Sequence, residues 1–146
     1  MTRPGSGKKA PPRMSDAPDG AFRVVADQGS AELVVERSRF IGVARPVISR
    51  EHAESVADAL RAEHYDARHV CYAYRVGRAP HRVERANDDG EPSRTGGYPL
   101  LQLLEGEALE DAALFVVRYF GGVKLGTGGL ARAYRDTGRL ALDDAR

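Results

Sequence analysis

Three carboxylates, Asp88, Asp89 and Glu91, crowd around Gly90 and are followed by Pro92 and Thr95. Clustered carboxylates can hold Mg2+ or divide acid from base work. In a loop they can equally cap the next turn through Asx-type hydrogen bonds. The loop lacks the alternating oxygen ligands and the closing Glu of an EF-hand, so that Ca2+ site is excluded. A second segment places Gly121, Gly122, Gly126, Gly128 and Gly129 around Lys124 and Thr127, with Arg118 before it and Arg132 after it. An apolar strand feeds these glycines and a helix follows, an arrangement that turns free backbone N–H groups and the helix dipole toward an anion. The other reading is architectural. Gly121-Gly122 then makes a bulge or tight turn, and Gly128-Gly129 lets the helix pack closely on the sheet.

Two sharper versions of the glycine segment fail. A phosphate-binding loop of the Walker type ends in Gly-Lys-Ser/Thr, whereas Lys124 is followed by Leu125. Gly126-Thr127-Gly128-Gly129-Leu130-Ala131 fits Gly-x-Gly-x-x-Ala, but no second strand with an acidic residue follows the helix. What survives is an expectation about geometry. At least two N–H groups between Gly126 and Leu130 should point to one spot, with Thr127 as the N-cap and Lys124 or Arg118 nearby.

Other side chains carry weaker signals. His64, His69 and Cys71 can meet around zinc in principle, but no Cys-x-x-Cys or His-Glu-x-x-His pattern supports it. They read as packing or surface residues, and no metal or cofactor is expected. Cys71 has no visible orienting group for a nucleophile's role. Arg75, Arg78, His81, Arg82 and Arg85 lie on or near one hairpin, opposed locally only by Glu84, with Tyr72 and Tyr74 close by. A basic hairpin with aromatics can contact RNA. It can also be a solvated tip with tyrosines in the core.

The elements that must position these residues follow from periodicity. Glu32–Glu36 and Arg39–Ala44 read as strands with Ser38 in the link, and Pro46 ends the second. Ser49 is an N-cap for a helix from Arg50 to about His64, with Ala53, Val56, Ala57 and Leu60 on its buried stripe. Val70, Tyr72, Tyr74 and Val76 alternate with small residues, a strand covered on both faces. Arg82 to Asn87 returns as its hairpin partner. Asp88 to Gly97 is loop. Pro99 suits the first turn of a helix that Gly106 stops. Leu114 to Val117 is a continuous apolar run, as in a central strand. A last helix runs from Thr127 to Asp143 with Leu130, Tyr134, Thr137 and Ala141 on one stripe, and with Arg132–Asp136 and Arg139–Asp143 as surface pairs. The order reads as a two-layer α+β domain.

Bulk properties narrow the function. A net charge of +1 excludes binding of nucleic acid by overall charge, so any such contact must be a local patch. Cys71 is the sole cysteine, so no intrachain disulfide forms, and a reducing, cytoplasmic setting is favoured. Ala112 to Val117, the longest apolar stretch, is too short to span a bilayer, and no apolar run follows Lys8 and Lys9 to make a signal peptide. Residues 1–20 are rich in proline and poor in apolar side chains, a composition that predicts a disordered tail. Met14 is an alternative start.

These segments together resemble the Impact/YigZ family. The resemblance rests on Ser38-Arg39-Phe40-Ile41-Gly42, His69-x-Cys71-x-Ala73-Tyr74, and Asn87 to Pro92 with Thr95 and Gly97. It continues through Pro99-x-Leu101, Val117 to Gly122, and Leu125 to Tyr134. In order and spacing it spans Glu32 to Leu142. It implies a fold like the second domain of ribosomal protein S5, shared with domain IV of elongation factor G. It also implies a role near translation. Eukaryotic members are associated with restraint of a stress kinase through that kinase's activator, and nucleic-acid or ribosome contact has been inferred for bacterial members. Arg94 stands where the family pattern usually has glycine, and Gly96 where it usually has alanine. Bacterial members commonly carry a second, ferredoxin-like domain. The expectation for this chain is a tail over 1–20 and one Impact-type domain over 21–146, without that second domain. The expected function is a non-catalytic binding module, translation- or stress-related, contacting RNA, the ribosome or a regulatory protein. The alternative is a phosphate- or nucleotide-binding enzyme with Mg2+ on Asp88, Asp89 and Glu91 facing the 121–129 loop.

Overall fold

A computed structural model describes residues 23–145. The expected tail over 1–20 and the onset of order at Phe22 lie outside the described residues. Eight elements follow in the order β1 (Gly29–Val35), β2 (Ser38–Pro46), α1 (Arg50–Glu63), β3 (His69–Val76), β4 (Val83–Asn87), α2 (Gly97–Gly106), β5 (Ala112–Tyr119) and α3 (Gly126–Ala145). The class is α+β, as the order of periodic segments predicts. The sheet runs β1-β2-β5-β3-β4 with every pairing antiparallel. The apolar run of β5 is its centre and is buried on both faces.

Alternation along β3 and β5 divides the core in two. Cys71, Ala73, Leu114 and Val116 face α2 and α3, while Tyr72, Tyr74, Ala113 and Phe115 face α1. The small face of β3 lets α2 approach closely, and a Cβ on Gly96 would lie 2.5 Å from Cys71 Sγ. Two layers hold over β1 and β2, and α1 adds a third over β3 and β5. Ser49 caps α1 by accepting from the His52 N–H at 3.0 Å. Among the described residues no helix is long and apolar enough to cross a membrane.

Three local expectations are corrected. The acidic loop, expected to run through Gly97, gives way to helix there, with Pro99 in the first turn as expected, because a carboxylate outside the helix supplies the cap. Arg139, expected to pair with Asp143, instead donates to Glu107 at 2.9 Å. The glycines that let α3 press on its neighbours are not Gly128 and Gly129. A Cβ on Gly128 would meet nothing within 4 Å, and one on Gly129 would meet only Leu125 Cβ at 3.2 Å. The close approaches are at Gly29, Gly42 and Gly138, where a Cβ would lie 2.3 Å from Ala145 N, 2.8 Å from Thr137 Cγ2 and 2.6 Å from Leu100 Cδ2. Loops look glycine-rich in sequence, whereas these three sit singly in strands or a helix and give no such signal.

Candidate functional site

The acidic loop is built by its own carboxylates. Asp88 Oδ1 accepts from the N–H of Gly96 at 3.1 Å and of Gly97 at 2.8 Å, and Oδ2 accepts from Arg94 N–H at 2.8 Å. Asp88 is thus the cap of α2, where a negative charge is favoured by the helix dipole. Asp89 Oδ2 accepts from Val70 N–H at 2.7 Å, and its carbonyl accepts from His69 Nδ1 at 2.7 Å. Its other carboxylate oxygen lies 3.5 Å from Arg61. Gly90, at φ +87°, makes the turn that reverses the chain, and Thr95 Oγ1 donates to Pro92 O at 2.6 Å.

Glu91 points inward. Arg118 NH1 donates to both its oxygens, at 3.0 and 2.8 Å, and Tyr134 OH donates to Oε2 at 2.5 Å. The pair is buried, with side chains 2 % and 6 % exposed. Charge-assisted bonds of this kind are strengthened by a low-dielectric setting. Burial, with Cys71 and Glu91 adding, pushes the Tyr134 hydroxyl far above the usual tyrosine range, so it stays a donor. Burial pushes the Cys71 thiol up as well, and Cys71 donates to Asp88 O at 3.1 Å, which is not the state of a nucleophile.

This arrangement corrects the Mg2+ reading. Asp88 and Asp89 are committed to backbone N–H groups and Glu91 to Arg118 and Tyr134. Among the described residues no group of three His, Cys, Asp or Glu side chains is arranged to hold a metal. His64 bonds Tyr119 OH at 2.7 Å, while His69 bonds Asp89 O and Cys71 donates to Asp88 O, so the three are not gathered on one point. Arg118, expected to face an anion directly, is instead the partner of Glu91.

The two segments nevertheless meet. A cleft of about 450 Å3 is lined by Gly90, Glu91 and Pro92 from one and by Lys124, Gly126 and Thr127 from the other, with Arg118 and His69 from the strands between. Lys124, Gly126, Thr127 and Gly128 are exposed. Helix α3 begins at Gly126, so Thr127 lies inside the first turn and is not the N-cap. Neither Leu125 nor Gly126, whose φ is +76°, carries a side-chain acceptor. Among the described residues no side chain accepts from the N–H groups of Gly126 to Gly129. Gly121 serves the fold: its N–H donates to Ser38 Oγ at 3.1 Å, and a Cβ there would lie 2.2 Å from Arg37 C. Gly122 turns the chain at φ +93°. Arg132 is exposed on α3 but does not line the cleft.

Two cleft residues escaped sequence reasoning. Arg68 and Phe120 line it, with the guanidinium 4.7 Å from the ring centroid, and Arg118 lies 5.4 Å from the same ring. They sit just before β3 and just after β5, and only the register that pairs His69 with Arg118 brings them together.

The basic hairpin does not join this site. β3 runs from His69 at the cleft to Val76 at the hairpin, roughly 20 Å at the rise of an extended strand. Its charges are largely answered. Arg75 is buried, donating to Glu84 at 2.8 Å and to Leu109 O at 3.0 Å. Arg82 bonds the buried Glu110, and Arg85 lies 3.7 Å from Glu54. Arg78 also has a partner. The expectation of a patch opposed only by Glu84 is overturned because Glu54 and Glu110 come from distant elements. Tyr72 and Tyr74 are core residues whose hydroxyls donate to Glu54 at 2.5 and 2.9 Å.

With this geometry in place, comparison with known proteins is informative. The Impact N-terminal domain matches residues 36–142. The chain is 43 % identical over 114 residues to IMPACT family member YvyE of Bacillus subtilis, covering 78 % of this chain and 52 % of that one. It is 43 % identical over 102 residues to IMPACT family member YigZ of Escherichia coli, covering 68 % and 50 %. The chain thus spans about half the length of these curated relatives. Among solved structures, a hypothetical protein superposes with a TM-score of 0.75 at 36 % identity, covering 84 % of this chain and 60 % of that one. The two-domain translational regulator Yih1 superposes with a TM-score of 0.56 at 25 % identity, covering 97 % and 54 %.

Proposed function

This chain belongs to the Impact family, and from that premise we propose that it is a binding module of translational regulation whose cleft holds the phosphate backbone of RNA. The observation that carries the reading is the state of charge around the cleft. Its three motif carboxylates are neutralised or bonded inside the protein, while Lys124, Arg68 and the opening N–H groups of α3 face outward. Such a surface attracts anions, and Glu91, the acidic residue that lines it among the described residues, is paired. The regulatory half of the proposal draws on the relative described as a translational regulator. Binding rather than catalysis fits side chains that are tied to one another instead of to a vacant reaction centre.

The test is a salt titration of RNA binding. Affinity should fall as salt rises, because phosphate contacts release counterions. Lys124→Ala should weaken binding and flatten the salt dependence, with the melting temperature nearly unchanged. Absence of RNA binding at low salt, together with nuclease-resistant capture of a protein, would replace RNA by a regulatory protein as the partner.

A further inference from the structure

We propose that the cleft is a single-nucleotide subsite for single-stranded RNA, with one phosphate over the start of α3 and the adjoining base stacked on the Arg68–Phe120 pair. This rests on the phosphate reading above and narrows it to a strand type and a binding pose.

The cleft has two chemically different ends. At one, Lys124 and the first N–H groups of α3 supply donors and positive potential. Gly128 stands there with open space around it, although glycine weakens a helix and no packing contact requires it. At the other end, the Arg68 guanidinium lies over Phe120, which is half-buried. Arginine planes and aromatic rings are the surfaces on which unpaired bases stack. A second feature points to an occupant. Arg118 lines the same cleft, its side chain is 6 % exposed, and its buried Nε has no hydrogen-bond partner among the described residues. Its Nε–H is donor capacity at the floor of the cleft that neither Glu91 nor Ser38 uses.

Size and charge select the strand type. A volume of about 450 Å3 falls in the range of about 300–1,000 Å3 typical of small-ligand pockets, enough for one nucleotide. A duplex keeps its bases stacked and presents a broad row of phosphates. The basic residues of the β3–β4 hairpin, Arg75, Arg82 and Arg85, are at the far end of the sheet and paired, so they do not extend the cleft into such a row.

The experiment compares a labelled short single-stranded oligoadenylate, the same strand with abasic riboses, its duplex with oligouridylate, and free AMP as competitor. Each is measured against the full chain and against Phe120→Leu, Arg68→Gln and Lys124→Ala. The single strand should bind more tightly than the duplex. With one cation, Lys124, engaged on the phosphate, the slope of log K against log salt should be about −0.7, so a fourfold rise in salt should weaken binding about 2.6-fold. Phe120→Leu and Arg68→Gln should each weaken the oligoadenylate at least about fivefold, while the abasic strand binds them as it binds the parent. Arg68 is exposed, so its variant reports even if Phe120→Leu folds poorly. Duplex preferred over single strand, or unchanged oligoadenylate affinity in both variants, would overturn the base subsite. In that case a loss with Lys124→Ala would leave the phosphate reading standing. AMP displacing the strand at equal affinity would overturn the strand assignment in favour of free nucleotides. A parent protein that binds none of these probes at low salt removes both readings.

Discussion

Glu91 is where the residue scale is decided. It is buried and bonded by both Arg118 and Tyr134, so removing it strands a cation and a hydroxyl in the interior. Breaking a buried pair from one side costs about 3–5 kcal/mol. Glu91→Ala should lose stability of that order in urea denaturation, and Arg118→Met combined with Glu91→Leu should lose less than the two single changes summed. Asp88→Ala should also destabilise the fold, by about 0.5–2 kcal/mol as for a lost helix cap. The residue types at these positions are plain in sequence, and so is the option that loop carboxylates cap a turn. Their partners are not plain. Asp88 reaches Gly97, and Glu91 reaches Arg118 and Tyr134, across separations that no local pattern encodes. Local spacing predicts a carboxylate cluster, and tertiary contacts disperse it.

At the scale of elements, the two kinds of glycine in α3 should respond with opposite sign. Gly128 has open space and an ordinary helical setting, so Gly128→Ala should stabilise the protein by about 0.5–1 kcal/mol. Gly138 faces Leu100 and Leu103, so Gly138→Ala should destabilise it by about 1–3 kcal/mol through overpacking. Equilibrium denaturation of both variants checks the contrast. The α1–β3 interface makes a separate prediction about alkali. Burial, then the hydrogen bond to Glu54, raises Tyr74 to about 12 and raises Tyr72 in the same direction. An unfolded tyrosine ionises near 10, so the native state holds these protons more tightly across the interval. Their contribution to stability is whole below about pH 10 and declines as pH rises through about 12. Glu54→Gln should make that decline shallower, since it removes a charge that opposes ionisation, and denaturation midpoints between those pH values report it. Periodicity places every strand and helix of this interface correctly, because side-chain alternation is a local property. It cannot say that the acidic loop already turns into α2 at Gly97, because the cap is supplied from outside the helix.

For the whole molecule, β5 dominates. It is central, buried on both faces, and pairs with β2 and β3, which lie far from it in the chain. Amides of β5 should therefore be the last to exchange with deuterium in the native state, and those of the exposed edge strand β4 among the first. The run from Leu114 to Val117 announces that position in sequence. The register that brings Arg68 beside Phe120 stays hidden until the sheet is assembled. The tie from Glu91 to Arg118 and Tyr134 has a consequence for how kinship with this chain should be interpreted. The residues that make the motif recognisable are occupied with joining a loop, a strand and a helix into one concave shape. Two chains that share them inherit a vessel, and nothing in that inheritance names the contents. In the proposed subsite discrimination between ligands falls to Arg68, Lys124 and Phe120, so a change of clientele would proceed by altering these three while the motif stays untouched. Swapping the three together between relatives, on an unaltered frame, is the way to transplant preference without rebuilding the fold.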